Sequence, residues 1–216
     1  LLGAALPYPV FADTPRIAGV ADERRFYPAA ALEKRRRQGE VVGRALAGTG
    51  VRLMFEGGMC AFGYYSRLPY LVELTGLTQY SLAKLPLGAR GWIGHEKHAT
   101  VQWMTENDIH LVLSHAFPPV TRPSSPPADH VYFGDAAVAR IVRYDDALMQ
   151  HLAGVEDVRF TPIEVVVERK RRQIDGASRQ RAEEHYASLD RYYLAGAGDA
   201  GREIARDLRA RIDAKP

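Results

Sequence analysis

The chain has a single cysteine, Cys60. A disulfide within the chain is excluded, and so is a thiolate metal cluster built by one copy alone. Beside Gly57 and Gly58, Cys60 reads as a small buried residue. No stretch reaches the ~20 apolar residues that a membrane-spanning helix needs. Net charge is small, with 29 Lys and Arg against 26 Asp and Glu. The positive residues are also clumped, at Lys34-Arg35-Arg36-Arg37 and Arg169-Lys170-Arg171-Arg172. A nucleic-acid binder spreads such charge along one face with aromatics between, so no nucleic-acid partner is expected. Solvated helix faces, or a surface for anionic lipid, explain the clumps more simply.

Several motifs are missing too. Gly57-Gly58 followed by Gly63 lacks the spacing of a dinucleotide fingerprint and has no acidic ribose partner. A tight turn leaving a strand is the better reading. His95-Glu96-Lys97-His98 sets its histidines three apart with a lysine between, which fits a zinc helix poorly. No Ser, His and Asp fall in a convincing catalytic order. No metal and no cofactor is therefore expected, and no internal repeat is evident.

The pattern that is present predicts an α/β fold: a small layered sheet with parallel strands, plus a β-containing extension and C-terminal helices. Residues 1–16 form an apolar arm, with Leu1 to Asp13 reading as the end of a secretory signal, the end of a membrane helix or a plain arm. Residues 17–117 form the α/β domain. Its helix over Pro28 to Ala47 is followed by strands at Val51–Phe55, Tyr70–Leu74 and His110–Ser114. Ala61–Ser66 is a helical turn or loop, and Tyr80–Lys84 and His98–Asn107 are helices. Residues 118–127 are a proline-rich linker. Residues 128–216 carry strand-like runs at Val131–Phe133, Ala139–Tyr144 and Ile163–Val167, a helix over Asp145–Leu152 capped by its own aspartates, and two amphipathic helices over Ser178–Tyr193 and Gly201–Ile212.

Phe62 to Lys97 carries the chemistry. Tyr64, Tyr65 and Tyr70 cluster beside glycine and serine, a pattern that core packing or sugar stacking explains equally. Glu73 lies inside an apolar strand, where it needs a partner, with an arginine or His95 available. A structural ion pair and an acid/base role both fit. His95 and Lys97, at the start of a helix, suit an anionic or hydroxyl-rich ligand, or else tie two loops together. In a parallel layer the ligand sits at the carboxyl ends of strands, which places Gly57-Gly58, Thr75-Gly76 and Ser114-His115 around it.

Ala21-Asp22-Glu23-Arg24, Tyr64-Tyr65-Ser66, Glu73-Leu74-Thr75-Gly76-Leu77-Thr78 and Gly94-His95-Glu96-Lys97, taken in order, resemble the C-terminal segment of bacterial polytopic membrane glycosyltransferases of the GT-C type. These include the arabinofuranosyltransferase-like and mannosyltransferase-like proteins of the cell envelope. The resemblance spans roughly residues 17 to 114. It departs from the family at Glu73 and Gln79, where aspartates are usual. It implies an extracytoplasmic, periplasmic domain tethered to the inner membrane by a membrane domain of the same polypeptide. Catalytic acids then lie in loops between membrane helices, outside this chain. The chain's role is to bind or position a glycan acceptor for transfer from a polyprenyl-phosphate sugar, with Tyr64, Tyr65, Glu73, His95 and Lys97 lining or bracing the site. The alternatives are a free-standing secreted glycan-binding module and a small hydrolase using Glu73 and His95 as an acid/base pair.

Overall fold

The computed structural model describes residues 16–17, 20–21, 28–55, 60–87, 97–113, 130–190, 194 and 198–216. Two short strands, β1 (Arg16–Ile17) and β2 (Val20–Ala21), pair antiparallel. The rest is built on one sheet. Its strands are β3 (Leu53–Phe55), β4 (Leu71–Glu73), β5 (Leu111–Leu113), β6 (His130–Phe133), β7 (Ala137–Ile141) and β8 (Val158–Phe160). The helices are α1 (Ala29–Ala45), α2 (Cys60–Ser66), α3 (Tyr80–Ala83), α4 (Val101–Glu106), α5 (Asp146–Ala153), α6 (Ile163–Asp175), α7 (Arg179–Leu189) and α8 (Gly198–Asp213). The six strands run in the order β4-β3-β5-β7-β6-β8. β3 lies parallel to both β4 and β5, and the remaining neighbours are antiparallel. The α/β class with parallel strands is therefore correct. The extension joins the same sheet: β7 pairs directly with β5, Leu111 opposite Ile141 and Leu113 opposite Ala139. The linker expected over 118–127 lies outside the described residues.

The pleat divides the core in two. Leu53, Phe55, Leu111, Leu113, Val131, Phe133, Ala139 and Ile141 point to one face and pack with residues of α1, α2, α5, α6, α7 and α8. Met54, Val72 and Val112 point to the other, against Leu82, Trp103 and Ile109 around α3 and α4. Burial on both faces is what makes Leu53-Met54-Phe55 and Leu111-Val112-Leu113 continuous apolar runs with no alternation.

Ile163–Val167 is not a strand. It opens α6, directly after Pro162 at the N-cap position. Ile163, Val166, Val167 and Ile174 are buried while Val165 is 46 % exposed, a helical spacing that overrides the β preference of three consecutive valines. The edge strand is instead Val158–Phe160, half-buried along its length. Cys60 is exposed, contrary to the reading above. Asp145 does cap α5, its carboxyl accepting from Leu148 N at 2.8 Å.

The two basic clumps are largely spent on local pairing. Arg36 pairs with Glu33 and Glu40, and Arg37 with Asp135 at 2.8 Å. Arg171 pairs with Glu168 and Asp207, and Arg172 with Glu168. These are exposed or half-exposed pairs of small energetic weight.

α1 and α2 cross at two glycines one helical turn apart. A Cβ on Gly39 would stand 2.6 Å from Phe62 O, and one on Gly43 would stand 2.1 Å from Ser66 O. No side chain fits at either place, so backbone meets backbone. This contact fixes where the last turn of α2 lies, and with it Tyr64 and Tyr65.

Candidate functional site

Glu73 closes β4 and is buried, 3 % exposed. Its carboxyl wraps the turn that follows. One oxygen accepts from Thr75 N at 2.8 Å and from Thr75 Oγ1 at 2.6 Å, and the other accepts from Leu77 N at 2.8 Å. Its partners are thus in its own loop, and among the described residues no arginine pairs with it. Gly76 completes the turn at φ +83, a conformation suited to glycine. A Cβ there would also stand 2.8 Å from the Leu82 side chain. The Glu73–Leu77 sequence reads physically as a self-braced turn that seats α3. Lys97 ties loops in the same district: its Nζ donates to Ala83 O at the end of α3. His95 lies outside the described residues. Thr100 caps α4, accepting from Trp103 N at 3.1 Å.

The tyrosines stand elsewhere. α2 starts beyond the carboxyl end of β3 and returns toward the amino end of β4, so its last turn lies at the opposite edge of the parallel strands from the Glu73 turn. Tyr64 is 78 % exposed and Tyr65 38 %. Their rings meet edge to face with centroids 5.1 Å apart. Tyr70 is a packing residue, with the Arg52 guanidinium 3.9 Å above its ring.

Tyr65 lines a groove of about 620 Å³ with Glu40 and Arg44 of α1, the Gly48-Thr49 turn, and Ser66 to Pro69. Its size is that of a small-molecule site. Ser66 Oγ donates to Gly63 O at 3.0 Å. Arg67 holds a left-handed backbone, φ +53, at the bend into β4. A non-glycine residue held there costs roughly 1–2 kcal/mol, and the bend sets the exposed Arg67 on the groove wall. Among the described residues neither Arg44 nor Arg67 forms an ion pair. A ring and two guanidinium groups on the lining, with Glu40 already held by Arg36, give stacking surface plus donors for a hydroxyl-rich ligand.

A second cleft of about 380 Å³ shares Gly48 and Thr49 with the groove and continues past Gly50 to His110, Asp145 and His151. His110 Nδ1 accepts from Arg52 N at 3.0 Å, which fixes a neutral ring with its proton on Nε2. Burial pushes the His110 pKa below 6.5, opposed by the nearby Asp145 charge. An unfolded histidine takes up protons more readily than this one, so the His110 contribution to stability is complete above about pH 6.5. It is lost as pH falls through the lower folded value. Melting temperatures measured from pH 7.5 to 5 should fall more steeply for the native chain than for His110→Asn, whose amide oxygen still accepts from Arg52 N. Parallel curves would show that His110 carries no such linkage.

The predicted residues are thus divided. Tyr65 lines the groove at the amino ends of β3 and β4 with Tyr64 in edge contact beside it, while Glu73 and Lys97 serve loops at the carboxyl end. Glu40, Arg44, Arg67, Gly48 to Gly50 and His110 were not singled out from sequence. The Gly48-Thr49-Gly50 turn and the Ser66-Arg67-Leu68-Pro69 bend were the available signals. Among the described residues no three His, Cys, Asp or Glu side chains gather to hold a metal ion. No protein-family model matches the chain, and it has no match among curated proteins or solved structures.

Proposed function

We propose that this chain is a glycan-positioning domain of a membrane glycosyltransferase, and that the Tyr65 groove holds the acceptor for transfer from a polyprenyl-phosphate sugar. The observation that carries the reading is the groove itself: about 620 Å³, with Tyr65 and Arg67 on its walls and Tyr64 exposed beside it. Aromatic faces stack on sugar C–H surfaces while guanidinium groups bind hydroxyls. The resemblance of the ordered motifs to GT-C-type enzymes supplies the biological setting. It carries the proposal that the domain is extracytoplasmic and tethered to the inner membrane. Among the described residues no helix is long and apolar enough to cross a membrane, and the proposal places the tether and the catalytic acids in other segments of the polypeptide. The hydrolase alternative is weaker, because both Glu73 oxygens are occupied by its own turn.

Calorimetric titration with arabinofuranosyl and mannosyl oligosaccharides tests the groove. Tyr65→Ala should lower affinity about tenfold, or ~1.4 kcal/mol, and Tyr65→Phe should retain most of it. Equal affinity of the native and Tyr65→Ala chains would contradict the assignment. The tether is tested by fractionating cells that express the native gene: the protein should sediment with membranes, with this region open to protease added on the periplasmic side.

A further inference from the structure

Gly50 is a glycine that the fold does not require. Its backbone lies outside the left-handed region, and a Cβ built on it meets nothing within 4 Å. Neither turn geometry nor packing therefore excludes a side chain. Gly50 nevertheless lines the second cleft, within reach of a long side chain placed there. Gly48, on the wall common to both clefts, likewise has open space where its Cβ would be. Bare backbone at such a place lets a ligand approach closely. Thr49 keeps the turn in shape, its Oγ1 donating to Leu46 O at 2.7 Å.

We propose that the cleft at Gly50, His110 and His151 is a second sugar subsite, joined to the tyrosine groove across the Gly48-Thr49 turn, so that the chain grips an extended oligosaccharide. The inference rests on the glycan reading of the groove. The chemistry of the cleft selects the ligand class. His110, held neutral by Arg52 N, keeps Nε2–H as a donor. His151 Nε2 donates to Ala45 O at 2.9 Å, which leaves Nδ1 as the ring's other polar atom. A hydroxyl group both donates and accepts, so a sugar can use a donor and an acceptor presented on one cleft lining. Asp145 is the charged side chain on the described lining, and the Arg52 and Arg143 charges are also felt at His110. This mixed setting presents no net charge of one sign, which suits a neutral sugar unit.

The test compares a disaccharide, which fills the groove, with a tetrasaccharide of the same sugar, which reaches the cleft. The native chain should bind the tetrasaccharide about tenfold more tightly. Gly50→Leu, which fills the cleft, should reduce tetrasaccharide affinity to the disaccharide value and leave disaccharide affinity unchanged. His110→Asn should do the same while keeping the acceptor for Arg52 N. A native chain that binds both lengths equally would overturn the second subsite. So would variants that leave the length dependence intact or weaken both ligands alike. If Tyr65→Ala still lowers disaccharide affinity about tenfold, only the second subsite falls. If no oligosaccharide binds at any length, the groove reading fails and takes this inference with it.

Discussion

Gly43→Ala is expected to destabilise the protein by roughly 3 kcal/mol or more, at or beyond the upper end of the usual cost of overpacking. The added methyl would stand 2.1 Å from Ser66 O, with Ser66 C and Cα at 2.8 Å. All three are backbone atoms of α2, so no side chain can turn aside. Either α2 moves away from α1 or the crossing opens. Separation would uncover Phe62, which is fully buried and packs against Phe55 at 6.1 Å between centroids. Gly63→Ala in α2 is the matching control. Its Cβ meets only the Leu71 and Phe55 side chains, at 3.6 and 3.9 Å. Alanine there should be neutral or stabilising by about 0.5–1 kcal/mol through helix propensity. Urea denaturation of the two variants checks the account, and similar midpoints would mean that α1 and α2 do not cross backbone to backbone. Because the crossing also positions Tyr65, a folded remnant of Gly43→Ala should bind glycan weakly.

Glu73→Ala should cost about 3 kcal/mol, for a different reason. It strips acceptors from Thr75 N, Thr75 Oγ1 and Leu77 N together. A buried donor left without a partner costs about 1–3 kcal/mol. Thr75 is 5 % exposed, while Leu77 is 58 % exposed and its N–H can turn to water. Glu73→Gln separates a structural role from a chemical one. Its amide oxygen still serves both Thr75 donors, and only the contact with Leu77 N is lost, for about 1 kcal/mol. Glycan affinity should be unchanged in Glu73→Gln, since the Tyr65 groove lies at the other edge of the strands. A glycan-affinity loss in that variant with its melting temperature intact would return Glu73 to the binding site.

The strands with continuous apolar runs were legible because burial on both sheet faces leaves no other composition possible. Ile163–Val167 misled for the same reason: consecutive β-branched residues look like a strand until the spacing to Ile174 and the exposure of Val165 are known. Val158-Arg159-Phe160 is too short to show a period at all. Tyr64 and Tyr65 stood out by composition, and Glu73 by its apolar surroundings. Its partner did not, because a glutamate bracing its own turn differs from an ion pair only in three dimensions. The spacing of Gly39 and Gly43 was visible in the sequence, but its meaning depends on a second helix crossing there. The separation of Tyr64 and Tyr65 from Glu73 was not legible for a general reason: neighbours in sequence need not share one end of a sheet, and α2 carries the tyrosines back toward the amino ends of the parallel strands while Glu73 closes β4 at the other end.

The position of the binding surface is therefore the central claim, and backbone amide shifts on titration with oligosaccharide test it most directly. The expected result is a set of shifted amides at Gly48 to Val51 and Tyr65 to Leu68, extending to His110 and His151 as the oligosaccharide lengthens. Shifts confined to Thr75 to Leu77 and Lys97 to Ala99 would place the ligand at the carboxyl ends and contradict the account.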